Sequence, residues 1–128
     1  MKHSKIFLRT AVVYIRTSSK DTPCLYSNQE NSINEYALRH GYRILQVFRD
    51  DNSYANTFER KGFREMMEYI RVNKWKVKHL IVIDRTRLST NPVNLKRLGV
   101  FLKRNGVRIV SVAQSVLQEV LEHAKRHL

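Results

Sequence analysis

Thr10-Ala-Val-Val-Tyr-Ile-Arg-Thr17 decides the fold class. Its apolar, largely β-branched residues run on without polar alternation, the pattern of a strand buried on both faces of a parallel sheet. The chain then breaks into the turn-rich stretch Ser18-Ser-Lys-Asp-Thr-Pro23. From Ser27, read as an N-cap, Ile33, Tyr36, Ala37 and His40 recur at helical spacing until Gly41 closes the run. Arg43 to Phe48 reads as a second strand, Asp50 to Thr57 as a polar loop, and Phe63, Met66, Met67 and Ile70 as one face of a second helix opened by Arg60. Lys78 to Asp84 holds the apolar run of a third strand, and Arg85 to Thr90 reads as a loop. Asn91-Pro92 starts a third helix that ends at Gly106, Val107 to Val112 is a fourth strand, and Gln114 to Leu128 a last helix. Strict alternation of strand and helix predicts an α/β domain: a mostly parallel sheet of four or five strands flanked by helices in three layers. Functional residues are then expected where strands end.

At 128 residues the chain has room for one core, so residues 1–112 are read as the domain and 113–128 as an appended helix. Val112, Val116, Val120 and Ala124 recur every fourth residue on that helix, beside Leu117, Leu121 and Leu128. Two readings of the stripe stay open: it covers its own sheet, or it pairs with a second copy. One cysteine, Cys24, excludes an internal disulfide framework, and a reducing, cytoplasmic setting is expected. The apolar runs are too short to span a membrane, and Met1 to Leu8 lacks the features of an export signal.

Lys and Arg number 24 against 11 Asp and Glu, a formal charge of +13. Between Arg60 and Arg108, fourteen basic residues face only Glu65, Glu68 and Asp84. A basic folded domain points to a polyanion, with nucleic acid the leading candidate. Arg16 lies at the end of the first strand, Arg85 and Arg87 follow the third, and a parallel sheet delivers both ends to one edge. Guanidinium forks suit a phosphodiester, because each binds two phosphate oxygens and stays charged. A serine among them is either a nucleophile whose transition state arginine stabilises without a metal, or part of a plain phosphate pocket. Asp50, Asp51 and Asp84 are the alternative, a magnesium-binding carboxylate set, against which the basic balance argues. Trp75, between two lysines, is read as a core anchor, with stacking on a base as the other reading.

Four stretches carry a resemblance. Tyr14-Ile-Arg16-Thr-Ser18 resembles the Tyr-x-Arg-x-Ser strand end of serine site-specific recombinases, the resolvase and invertase family. Tyr26-Ser-Asn-Gln29 looks like that family's Ser-x-x-Gln element. Phe58-Glu-Arg60-Lys-Gly62-Phe63, after the acidic Asp50-Asp51, is similar to its Asp-Arg-x-Gly-Phe signature. Ile81 to Asn91 resembles its strand and Asp-Arg-Leu-Ser-Arg-Asn loop. The likeness runs from about Val12 to Val112. It implies a resolvase-like fold and a serine hydroxyl that attacks a DNA phosphodiester, leaving a 5′-phosphoserine link and a free 3′ hydroxyl, without metal or cofactor. It also implies double-stranded DNA as partner, a homodimer that becomes a tetramer at synapsis, and a place in DNA recombination, integration or inversion by mobile elements.

Matched position by position, the resemblance makes Ser18 the nucleophile, puts Arg16 on the scissile phosphate and Gln29 and Arg60 on ordering positions, and makes Tyr14 the motif aromatic. Two registers fit the loop after the third strand. The one adopted aligns Arg87-Leu88-Ser89-Thr90-Asn91 with Arg-Leu-Ser-Arg-Asn. Arg87 then becomes the first loop arginine, Thr86 stands where Asp is common, and Thr90 replaces the second arginine, a loss that Arg85 is positioned in sequence to make good. Tyr54-Ala55 stands where the family has Ser-Gly. The last helix follows its strand without a loop, and no DNA-reading module follows it here. The alternative function is a catalytically impaired DNA-binding or dimerisation module of the same fold.

Overall fold

A strand buries every side chain only when both faces of its sheet are covered, and Thr10–Arg16 (β1) is such a strand: all seven of its residues are buried. The computed structural model describes residues 9–17, 23–51 and 60–127, with the backbone alone for 23–27. After β1 come α1 (Pro23–Arg39), β2 (Arg43–Asp50), α2 (Lys61–Val72), β3 (His79–Val82), a 3₁₀ turn (Arg85–Arg87), α3 (Pro92–Arg104), β4 (Arg108–Ser111) and α4 (Val112–Arg126). The described strands form one parallel sheet in the order β2-β1-β3-β4. Helices cover both faces, giving the three-layer α/β architecture. β1 sends the chain outward to β2, then α2 carries it back past β1 to β3, so the winding reverses between β1 and β3. The carboxyl ends of those two strands are where such sheets leave a crevice.

Alternation along β1 splits the core. Val12 and Tyr14 pack with Phe63, Met66 and Ile70 of α2 and Leu98 and Leu102 of α3. Ala11, Val13 and Ile15 pack with Ile33, Tyr36 and Ala37 of α1 and with Val112. Each large side chain so buried contributes about 1.5–3 kcal/mol. On β2, Ala11 pairs with Ile44 but Val12 with Gln46, so Leu45 is an extra residue in the ladder. That bulge switches the parity of the strand, and Phe48 joins Tyr14 on the α2 side.

Several expectations shift. β2 runs two residues past Phe48, because Arg16 pairs with Asp50. α1 begins at Pro23 rather than after Ser27, proline being well suited to a first helical turn. The Arg85 to Thr90 loop holds a 3₁₀ turn capped by Asp84, whose carboxylate accepts from the Thr86 N–H. α4 starts at Val112, with the Ser111 hydroxyl accepting from Gln114 N–H as its cap. Trp75 is no core anchor: it is 57% exposed, its φ is +70°, and its ring lies against Gly106, where any Cβ would collide with it. α4 touches α1 through the Tyr36 hydroxyl, 2.9 Å from Ser115 Oγ, and His40, 3.4 Å from Glu119. Val116, Leu117, Val120 and Leu121 of its stripe stay exposed. No described helix is long and apolar enough to cross a membrane.

Candidate active site

The site is built where β1, β2 and β3 end, around one carboxylate and three guanidinium groups. Asp50, last residue of β2, accepts from the Tyr14 hydroxyl at 2.7 Å and from the backbone N–H groups of Gly62 and Phe63, both at 2.8 Å. Arg60 occupies the N-cap position of α2 without a side-chain cap of its own. Asp50 therefore serves as a cap from another strand, its negative charge set on the positive end of the helix. The close approach requires Gly62, since a Cβ there would lie 2.2 Å from the Arg49 carbonyl oxygen. Burial first, and the bond to Asp50 second, push the Tyr14 hydroxyl far above the usual phenol range, so it remains a donor.

Around this anchor the arginines bind one another's backbone. Arg16, 6% exposed, donates from Nε to the Arg87 carbonyl at 3.0 Å and from Nη2 to that of Thr86 at 3.1 Å. Arg87 returns a bond from Nη1 to the Arg16 carbonyl at 3.1 Å, which also accepts from Gln29 Nε2 at 3.3 Å. Arg60, equally buried, donates to the carbonyls of Leu88, at 2.6 Å, and Arg87, at 3.4 Å. Its guanidinium lies 5.0 Å from the centre of the Phe63 ring and 5.6 Å from that of Tyr14. Burial lowers its pKa, opposed by Tyr14 and Asp50. Two buried polar atoms at the cluster, Arg60 Nε and Gln29 Oε1, have no partner. Beside it a cleft of about 180 Å³ opens between Asn28, Gln29 and Ser32 of α1 and Ile83, Asp84 and Arg87.

The structure thus brings Tyr14, Arg16, Gln29, Arg60 and Arg87 to one edge. Arg85 turns away, lining a depression with Gly99, Lys103 and Arg108 on the α3 side. Ser18, Ser19 and Tyr54-Ala55 lie outside the described residues. Thr17, just before Ser18, is held by its N–H to the Asp50 carbonyl at 3.0 Å and by its hydroxyl to Asp51 at 3.2 Å. Asp50 is the residue that sequence reasoning misplaced, as part of an acidic loop or metal set. Its carboxylate is committed to the cap, and Asp84's to the 3₁₀ turn. Among the described residues no three His, Cys, Asp or Glu gather as metal ligands do.

A family model described as "Resolvase, N terminal domain" matches residues 11–127. No curated protein matches the chain. Solved structures share the fold. The C-terminal catalytic domain of ISC1926 TnpA, an IS607-like serine recombinase, aligns at 22% identity and TM-score 0.72 over 88% of this chain and 78% of that one. The N-terminal catalytic domain of TP901-1 integrase aligns at 17% and 0.72 over 93% and 95%. A resolvase family site-specific recombinase from Streptococcus pneumoniae aligns at 21% and 0.72 over 93% and 89%.

Proposed function

This chain belongs to the family of resolvase N-terminal domains, and on that premise we propose that it is a serine recombinase catalytic domain that cuts and rejoins DNA through Ser18. The observation that supports this most is the convergence of Arg16, Arg60 and Arg87 at the end of β1, two residues before Ser18 in the chain. The Ser18 hydroxyl attacks a backbone phosphorus and gives up its proton to solvent, the P–O bond to the 3′ oxygen breaks, and that oxygen takes up a proton from solvent as it leaves. A 5′-phosphoserine ester and a free 3′ hydroxyl result, and the reverse attack by a 3′ hydroxyl on the exchanged partner reseals the strand. The guanidinium groups offset charge on the non-bridging oxygens, in a site whose donors are already oriented. Arg60 Nε, buried without a partner, gains one when a phosphate oxygen arrives. Gln29 and Tyr14 act as positioning residues, the first on the Arg16 carbonyl and the second through Asp50. Double-stranded DNA is the substrate, and the exposed stripe of α4 is the surface through which two copies pair before synapsis as a tetramer.

The test is covalent capture. Incubated in EDTA with supercoiled DNA carrying its own sites, the full-length protein forms an adduct that survives denaturant and is lost in Ser18→Ala but kept in Ser19→Ala. A wild-type protein that binds this DNA without ever forming the adduct overturns catalysis and leaves the impaired binding module, the outcome that Thr90 in place of an arginine would explain. Cleavage abolished by EDTA would instead revive metal chemistry.

A further inference from the structure

The amino ends of the strands, opposite the cluster just described, hold a second group of cations around a partly buried imidazole. Arg9 precedes β1, Lys78 precedes β3 and Arg108 opens β4, and the ladder sets His79 beside Arg108 and Ala11. Arg9, Tyr42, His79 and Arg108 line a depression of about 450 Å³, floored by Val110. Strand alternation explains the gathering. Ala11 and Ile81 face α1 and α4, so Arg9 and His79, two residues earlier on each strand, face the same way.

Arg9 and Arg108 are exposed, and His79 lies partly buried beside them. Among the described residues Arg9 donates one side-chain bond, from Nη1 to the His40 carbonyl at 3.1 Å, and its guanidinium lies 5.2 Å from the centre of the Tyr42 ring. The Tyr42 ring meets His79 edge-on at 5.0 Å. His79 bonds the Thr10 backbone through one nitrogen, while Nδ1 is buried with no partner. Among the described residues no carboxylate pairs with Arg9, Lys78 or Arg108. Two guanidinium groups without a carboxylate, beside a buried ring nitrogen without a partner, jointly present donors that an oxyanion would satisfy.

We infer that this depression binds a phosphate group, held by the Arg9 and Arg108 forks with His79 Nδ1 as an added donor, at a site separate from the catalytic edge. To donate from both nitrogens His79 must be protonated, so binding takes up a proton and strengthens as pH falls. The charged or titratable groups that act on His79 are Arg9 and Arg108, the adjacent Lys78 and the ring of Tyr42, and burial followed by the cations holds its pKa below the usual histidine range. A bound phosphate offsets those cations and raises it, and the coupling is reciprocal. The phosphate belongs either to a free phosphate or to a DNA backbone.

The experiment follows the His79 ring proton by NMR in the full chain, the resonance identified by its absence in His79→Gln. Inorganic phosphate, at ionic strength matched with chloride, should shift it saturably and raise its titration midpoint. The pair Arg9→Gln with Arg108→Gln should weaken this by roughly tenfold or more, and Arg9→Lys with Arg108→Lys should retain most of it. A 20-base-pair duplex added at equal phosphate concentration separates the sources: a shift assigns the site to backbone, and a shift with inorganic phosphate alone assigns it to free phosphate. No shift with either, or a shift that the glutamine pair leaves unchanged, overturns the site.

Discussion

Both edges of the sheet are basic, but their cations are held differently. At the carboxyl edge Arg16 and Arg60 are buried, and each spends two donors on carbonyls of residues 86–88. At the amino edge Arg9 and Arg108 are exposed, and Arg9 makes one such bond. Burial fixes a guanidinium before any ligand arrives, whereas an exposed one is ordered only on binding, at an entropic cost. The first arrangement suits a reacting phosphate, which must be met in one geometry. The second suits capture.

If that contrast is right, the largest effect comes from the carboxylate anchoring the first edge. Asp50→Ala strips the cap from α2 and leaves the buried Tyr14 hydroxyl unpaired, an expected loss of about 3 kcal/mol in denaturant unfolding. A loss under about 0.5 kcal/mol would show that the edge is not prearranged. Arg60→Lys keeps the charge but not the fork, and should lower the rate of DNA adduct formation by roughly a hundredfold while the fold survives. An unchanged rate would place Arg60 among structural residues alone.

Smaller effects probe the amino edge and the surface. The pKa of His79 is lower folded than unfolded, so the unfolded chain binds the extra proton and stability falls as pH drops below about 6.5. His79→Gln should flatten that part of the profile, measured as the unfolding midpoint between pH 7 and 5. Val120→Lys on α4 should shift sedimentation from dimer to monomer while changing monomer stability by less than about 0.5 kcal/mol, because Val120 is exposed. Smallest of all, Glu68→Gln removes the carboxylate that Arg71 holds, at 2.6 Å, on the exposed face of α2, and should leave the midpoint unmoved.

The element order, the parallel sheet and the delivery of Arg16, Arg60 and Arg87 toward one edge were legible, because burial on both faces and helical spacing are written in consecutive residues. Trp75 was not. Its apolar ring argued for the core, yet the turn after α2 puts it outside, over Gly106. The choice between Arg85 and Arg87 was half legible: resemblance favoured Arg87, and the 3₁₀ turn capped by Asp84 directs Arg87 to the Arg16 carbonyl and Arg85 to the α3 side. The adjacent apolar pairs Ile44-Leu45 and Val47-Phe48 were a visible sign of the bulge, but could equally be read as a strand buried on both faces.

The sequence by itself determined the order of strands and helices, though not their ends, and that basic side chains stand at strand ends, since those follow from local periodicity. Only the tertiary structure decided that Asp50 caps α2 and that Arg16 and Arg87 exchange bonds across 71 residues of chain. Such bonds depend on the register between strands. A single extra residue at Leu45 turns Asp50 to the face where it meets the helix, and no pattern of neighbours along the chain fixes where that residue falls.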